Sequence, residues 1–280
     1  MKTIQNTAIS SVAVALLSGL ACSSAFAADT PTNPEDAGSP IAANVTVVSD
    51  YRYRGISQSN FKPAIQGGFD YAHESGFYIG NWNSSISWIS DAASAGGSRN
   101  VSAPIEMDFY AGIKKELIGE GFASDLGVLQ YYYPTSGLPS SSTNPNTTEI
   151  YAAQNFTFGP VTGFAKFSYA VTNTFGYANS SGSYYPDLTV NYDTGVWGLA
   201  VNAHVGYQKI AGQNVVAGVP TASYTDWKLG LTKDFGGGLS LAAAYIGTNA
   251  AKSGSTYAYQ SPSGKNLGGS TGIVSLTKTF

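Results

Sequence analysis

The chain has 280 residues, with 14 Lys and Arg against 17 Asp and Glu, a formal net charge of -3 and only 11% charged residues, where a soluble globular domain carries about a quarter. Aromatic residues reach 13%, which excludes a disordered chain, and the few scattered Lys and Arg leave no electrostatic footprint for nucleic acid. Beyond the N-terminus no run approaches the roughly 18 to 20 apolar residues that a membrane-spanning helix needs.

Residues 1 to 27 place Lys2 before an apolar stretch from Ile9 to Ala21 and end in Ala25-Phe26-Ala27. That is the pattern of a cleavable secretory signal peptide, so export from the cytoplasm is expected. Cys22, the only cysteine, lies inside this segment, and cleavage leaves no thiol. A lipoprotein reading of Cys22 meets Gly19 where a lipobox wants Leu. Residues 28 to 42 hold three prolines and acidic residues and read as a disordered periplasmic lead-in.

From residue 43 to 280 the dominant signal is a period of two, the mark of strands with one apolar and one polar face. In 44 to 54, Val45, Val47, Tyr51 and Tyr53 oppose Thr46, Asp50, Arg52 and Arg54. Next, Ile65, Phe69 and Tyr71 oppose Gln66 and Asp70, and Tyr78, Trp82, Ile86 and Trp88 oppose Asn81, Asn83, Ser85 and Ser87. Ile105, Met107, Phe109, Ala111 and Ile113 oppose Glu106, Asp108 and Lys114, then Leu126 and Val128 oppose Asp125. Ile150, Ala152, Phe156 and Phe158 oppose Glu149 and Asn155; Val161, Ala165, Phe167 and Tyr169 oppose Lys166 and Ser168. Leu188, Val190 and Tyr192 oppose Asp187 and Asn191, and Val201, Ala203, Val205 and Tyr207 oppose Asn202 and His204. Trp227, Leu229 and Leu231 oppose Asp226 and Lys228, Leu239 to Tyr245 alternate with Ser240, and Val274, Leu276 and Phe280 oppose Ser275, Thr277 and Thr279. About twelve strands result, an even number of the kind used by outer-membrane barrels.

Connection lengths point the same way. Short links at 74–76, 116–121, 159–160, 193–196 and 233–238 alternate with long stretches at 55–64, 89–104, 134–147, 172–183, 208–223 and 248–270. Short periplasmic turns and long external loops are the habit of transmembrane barrels. The expected fold is therefore an all-β, antiparallel up-and-down transmembrane β-barrel, closed because hydrocarbon offers no water to unpaired backbone groups. Tyr51, Tyr53, Trp88, Tyr192, Tyr207, Trp227, Tyr245 and Phe280 are expected in interfacial girdles.

The polar faces become the lumen. By parity it receives Asp50, Asp70, Glu106, Asp108, Asp125, Glu149, Asp187 and Asp226 against Arg52, Arg54, Lys114, Lys166 and Lys228, with His204 among them. Twelve strands at ~4.8 Å spacing and ~40° tilt enclose a backbone radius near ~12 Å, and side chains reduce this to a bore of several ångströms. Two readings stand: a conducting pore whose charged rings select solutes, with Asp50, Arg52 and Arg54 in its constriction, or interior ion pairs that plug the barrel.

The segment Val47-Val48-Ser49-Asp50-Tyr51-Arg52-Tyr53-Arg54-Gly55-Ile56-Ser57-Gln58-Ser59, then Pro63 to Tyr71 and Glu74 to Trp82, resembles the TorF family of porins. Glu106 to Gly112, Tyr131 to Pro134, Glu149 to Tyr151 and Asp226 to Gly230 are similar as well. The resemblance implies a proteobacterial outer-membrane barrel. The C-terminal Phe280 fits the signal read by the barrel-assembly machinery, while Lys278 stands where an aromatic or apolar residue is common. There it can snorkel toward the periplasmic headgroups.

Catalysis is not expected. His73 and His204 are the two histidines; no metal-ligand spacing appears, and no Ser-His pattern of an outer-membrane phospholipase or Asp-His pattern of an omptin protease is evident. No cofactor is implied. Lys62, Arg99, Lys209, Lys252 and Lys265 outnumber Asp91 in the long loops, which fits either lipopolysaccharide phosphates or plain solvation. The expected function is a passive diffusion channel for small hydrophilic solutes in the outer membrane of a Gram-negative cell. The alternatives are a non-conducting structural or adhesion barrel and an outer-membrane hydrolase; oligomerisation stays open.

Overall fold

The computed structural model describes residues 40–94, 100–212 and 218–280. The expected signal peptide, most of the lead-in and Arg99 lie outside the described residues. The elements are β1 (Ile41–Val48), β2 (Arg52–Tyr53), β3 (Ile56–Ser57), β4 (Ala64–Ala72), β5 (Phe77–Ser85), α1 (Trp88–Ser94), β6 (Ile105–Gly119), β7 (Phe122–Tyr132), β8 (Thr147–Phe158), β9 (Val161–Ala170), β10 (Tyr184–Asp193), β11 (Leu199–Gln208), β12 (Tyr224–Asp234), β13 (Leu239–Thr248), β14 (Lys252–Ser253), β15 (Thr256–Tyr257) and β16 (Thr271–Thr279).

Among the described residues, β1, β4 to β13 and β16 form one closed antiparallel barrel of twelve strands. Each pairs with its neighbour in sequence, and β1 closes the cylinder against β16 with Val45 opposite Lys278 and Val48 opposite Ser275. Closure leaves no wall strand with an unpaired edge, as an apolar solvent requires. The described connecting residues 49–63, 86–94, 100–104, 133–146, 171–183, 209–212, 218–223 and 249–270 lie at one end, and the tight turns lie at the other with both barrel termini. β1 starts two residues before the expected boundary, with Ile41 opposite Tyr71.

The outer wall is apolar and open. Ile65, Phe109, Leu126, Ile150, Leu229 and Leu276 all project outward and are exposed, an arrangement that water penalises at about 25 cal/mol per Å² and acyl chains do not. Tyr192, Tyr207, Trp227, Tyr245 and Phe280 are outward as expected.

Three expectations are corrected. The strand expected over 44 to 54 ends at Val48, after which the chain turns into the barrel and forms the β2–β3 hairpin. Tyr51 and Tyr53 are consequently buried inside instead of sitting in a girdle. On β5 the faces are inverted. Tyr78 and Trp82 are buried, while Asn81 lies opposite the outward Phe69 and Phe109. Two bonds make that outward pair tolerable: Asn83 donates to the Asn81 side chain at 2.5 Å, and Asn81 donates to the Asp108 carbonyl at 3.0 Å. Finally, Trp88 belongs to α1 in a long loop and packs on the Tyr133 ring.

Leu229, 61% exposed on the outer face of β12, makes the apolar belt testable. Leu229→Lys is expected to destabilise the barrel in lipid by about 2–4 kcal/mol if it lies near the bilayer midplane, measured by urea unfolding in liposomes.

Candidate functional site

The hairpin is the central feature. Arg54 and Gly55 both have positive φ, 45° and 79°, the conformation of a type I′ turn in which both central residues are left-handed. Glycine adopts it freely; an arginine there is strained by about 1–3 kcal/mol and persists only where its surroundings hold it. They do. Arg54 makes a bidentate pair with Glu149 of β8, at 2.8 and 3.0 Å, and donates to Gln208 of β11 at 2.5 Å. Its guanidinium also lies over the rings of Tyr185, at 4.0 Å, and Tyr53, at 4.8 Å.

The remaining spokes reach other walls. Tyr51 donates to Glu106 of β6, which also accepts from Tyr133 at 2.6 Å. Tyr53 and Tyr131 of β7 share a hydrogen bond of 2.6 Å. Arg52 bonds Asp50 at 2.7 Å and donates to the carbonyls of Leu267 and Gly269, at 3.0 and 2.9 Å. A Cβ at Gly55 would collide with Asp226 and Thr248, so the turn presses directly on the wall it reaches. The bore expected from an empty cylinder is thus occupied at this level.

Below the hairpin the wall is tyrosine set against glycine. Tyr78 donates to Asp125 at 2.7 Å and meets the Tyr151 hydroxyl at 2.5 Å; a side chain at Gly112 or Gly127 would strike these phenols. Tyr110 lies against Gly80 and donates to Asp70 at 2.6 Å, and Tyr185 lies against Gly206. Glycine within a strand often marks such a close approach.

The other ionic groups follow neighbouring strands. Lys114 is opposite Asp125 and Lys166 opposite Asp187, so opposite charges sit side by side, and His204 is opposite Lys228. Asp108, Asp187 and Asp226 are buried, as is Lys228. His204 contacts the Tyr185 hydroxyl at 2.9 Å, Asp226 at 3.1 Å and the Thr189 hydroxyl at 2.8 Å, with Asp187 at 4.0 Å. Hydroxyl, imidazole and carboxylate in that order are the ingredients of nucleophilic catalysis. However, Thr189 lies mid-strand, in a continuous ladder between Phe164 and His204, where backbone N–H groups are spent on the sheet and cannot form an oxyanion hole. His73 is far simpler: it bonds Ser75 in the exposed turn at 2.8 Å.

Above the hairpin, at the long-loop end, lies a cavity of about 250 Å³. Its lining includes Tyr53, Trp88, Tyr133, Phe175, Tyr177, Tyr224 and Tyr259, with Asp91 as the one acidic residue. Burial raises the phenol pKa of Tyr177 and Tyr259, moving their ionisation still further from neutral pH.

Parity thus places Asp70, Glu106, Asp108, Lys114, Asp125, Glu149, Lys166, Asp187, His204, Asp226 and Lys228 inside, and the inward turn after Val48, not strand parity, carries Asp50, Arg52 and Arg54 there; all stand as pairs and small clusters instead of one ring. The inward tyrosines were missed; the glycines facing them on adjacent strands are the signal that identifies them. Because the Arg54–Glu149 pair is buried at both ends, Arg54→Met is expected to cost about 3–5 kcal/mol by stranding a carboxylate, and the double variant Arg54→Met with Glu149→Leu to cost much less. Urea midpoints of the reconstituted proteins check this.

No curated protein matches the sequence. In fold the chain is similar to the KdgM porin in complex with disordered oligogalacturonate, at 9% identity and a TM-score of 0.48, covering 86% of this chain and 98% of that one. It is also similar to Acinetobacter baumannii OccAB1, at 14% identity and a TM-score of 0.44, covering 83% of this chain and 60% of that one. Residues 32–280 match the family described as bacterial protein of unknown function (Gcw_chp), and the chain belongs to that family.

Proposed function

We propose that the protein is an outer-membrane, porin-like channel for passive diffusion of small hydrophilic solutes or ions. The observation that carries this reading is a closed wall whose outside is apolar and exposed while its inside carries buried ionic groups. A soluble barrel gains nothing from that inversion. The resemblance to TorF porins, the signal-peptide pattern of residues 1 to 27 and the terminal Phe280 support export and insertion by the barrel-assembly machinery. Lipid contacts the belt, and lipopolysaccharide is the neighbour of the external loop lysines.

Eight inward carboxyl groups stand against five Arg and Lys, so the passage favours cations over anions. A second reading, a barrel that conducts only when its hairpin moves, is favoured by the cross-lumen bonds of Arg54 and Tyr53. Planar-bilayer recording separates these. The native protein is expected to give small, cation-selective steps, and replacing residues 52–60 by a Gly-Ser link to raise the conductance several-fold. If neither protein passes current, the barrel is structural and the channel reading fails.

A further inference from the structure

The cavity at the long-loop mouth has a chemistry that the channel reading does not explain. Its aromatic rings are paired edge to face. Trp88 meets Tyr133 at 5.6 Å and 87°, Tyr53 meets Phe175 at 5.3 Å and 73°, and Tyr224 meets Tyr259 at 5.2 Å and 77°. Each pair turns two ring planes nearly at right angles, so ring surfaces with different orientations border one space. An aromatic face carries the negative lobe of the ring quadrupole and attracts cations.

The charges agree. Among the described residues lining the cavity there is no Lys or Arg, and Asp91 is the one carboxylate. Behind Tyr133 lies Glu106, and the two guanidinium groups that touch lining residues are already matched, Arg54 beneath Tyr53 by Glu149 and Arg52 on the Leu267 carbonyl by Asp50.

The lining amides are largely committed elsewhere. Gln58 donates to the Ile56 carbonyl at 2.9 Å, and Asn60 donates to Asp91 at 3.1 Å. Gln208 accepts from Arg54 at 2.5 Å and donates to the Lys209 carbonyl at 3.0 Å; the Gln260 oxygen accepts from Tyr257 at 3.1 Å. A polyol, which must replace its bonds to water on entering, finds few partners. A methylated ammonium has few or no N–H groups to satisfy. The volume is that of about eight waters at ~30 Å³ each, below the ~300–1,000 Å³ of sites for drug-sized ligands.

We propose that this cavity binds a small organic cation bearing a methylated or quaternary ammonium group, with the aromatic faces around the cation and Asp91 as its counter-charge. This names a solute class for the channel proposed above and rests on that reading for its role in uptake. Binding is read in detergent without current, so a barrel that binds but does not conduct fails only the earlier reading. One that conducts without binding fails only this one.

The test is isothermal titration of the full barrel in detergent with choline chloride, with its uncharged carbon isostere, in which carbon replaces the ammonium nitrogen, and with glucose. Choline is expected to bind at least about tenfold more tightly than the isostere. Asp91→Asn is expected to weaken choline several-fold and leave the isostere unchanged, and Tyr259→Leu, an independent probe should Asp91→Asn misfold, to weaken choline as well. Isostere or glucose binding as tight as choline, or no choline heat from protein shown folded by circular dichroism, overturns the proposal.

Discussion

Hydrogen-bond closure between β1 and β16 is the constraint on which the rest of the molecule depends. A sheet whose outer face is meant for hydrocarbon cannot leave a strand edge open, because each orphan N–H or C=O costs several kcal/mol there. Once the first and last strands are joined, the outside is committed mainly to apolar side chains and the charged groups of the wall are sent inward. The interior is then crowded with groups that themselves need partners.

The hairpin answers part of that need. It brings two arginines to a wall rich in carboxylates, and each guanidinium ends on oxygen, Arg52 on Asp50 and three backbone carbonyls, Arg54 on Glu149 and Gln208. Buried pairs of this kind contribute little net stability because desolvation offsets the attraction. Their effect here is positional: they hold a left-handed arginine and the turn around it at one height in the cylinder.

Much of the wall was legible in the sequence. From β6 to β13 and in β16 the alternation marks the inner and outer faces correctly, because Leu, Val and Phe outside and charged residues inside leave little ambiguity. It fails where the side chains are amphipathic. On β5 the phenol of Tyr78 finds Asp125 inside, while outside the Asn81 amide accepts from Asn83 and donates to the Asp108 carbonyl, so polarity alone points the wrong way. The hairpin was hidden for a related reason. The alternation of 44 to 47 lapses only at Val48-Ser49 before it resumes through Tyr51 and Tyr53, and the hairpin itself is made by a backbone turn at Arg54-Gly55 that side-chain periodicity does not report. The aromatic cavity was also out of reach, since its rings come from six separate stretches of chain, all of them in or bordering long connections.

The tyrosines laid over glycines govern the calibre of the barrel. Because Gly112, Gly127 and Gly206 have no Cβ, the rings of Tyr78, Tyr151 and Tyr185 can lie directly against the backbone of a neighbouring strand. A methyl group at any of these glycines would collide with its phenol and displace it from the wall. The free width beside these rings is therefore set by backbone atoms on one strand and an aromatic ring anchored on another, so width and wall thickness are fixed together.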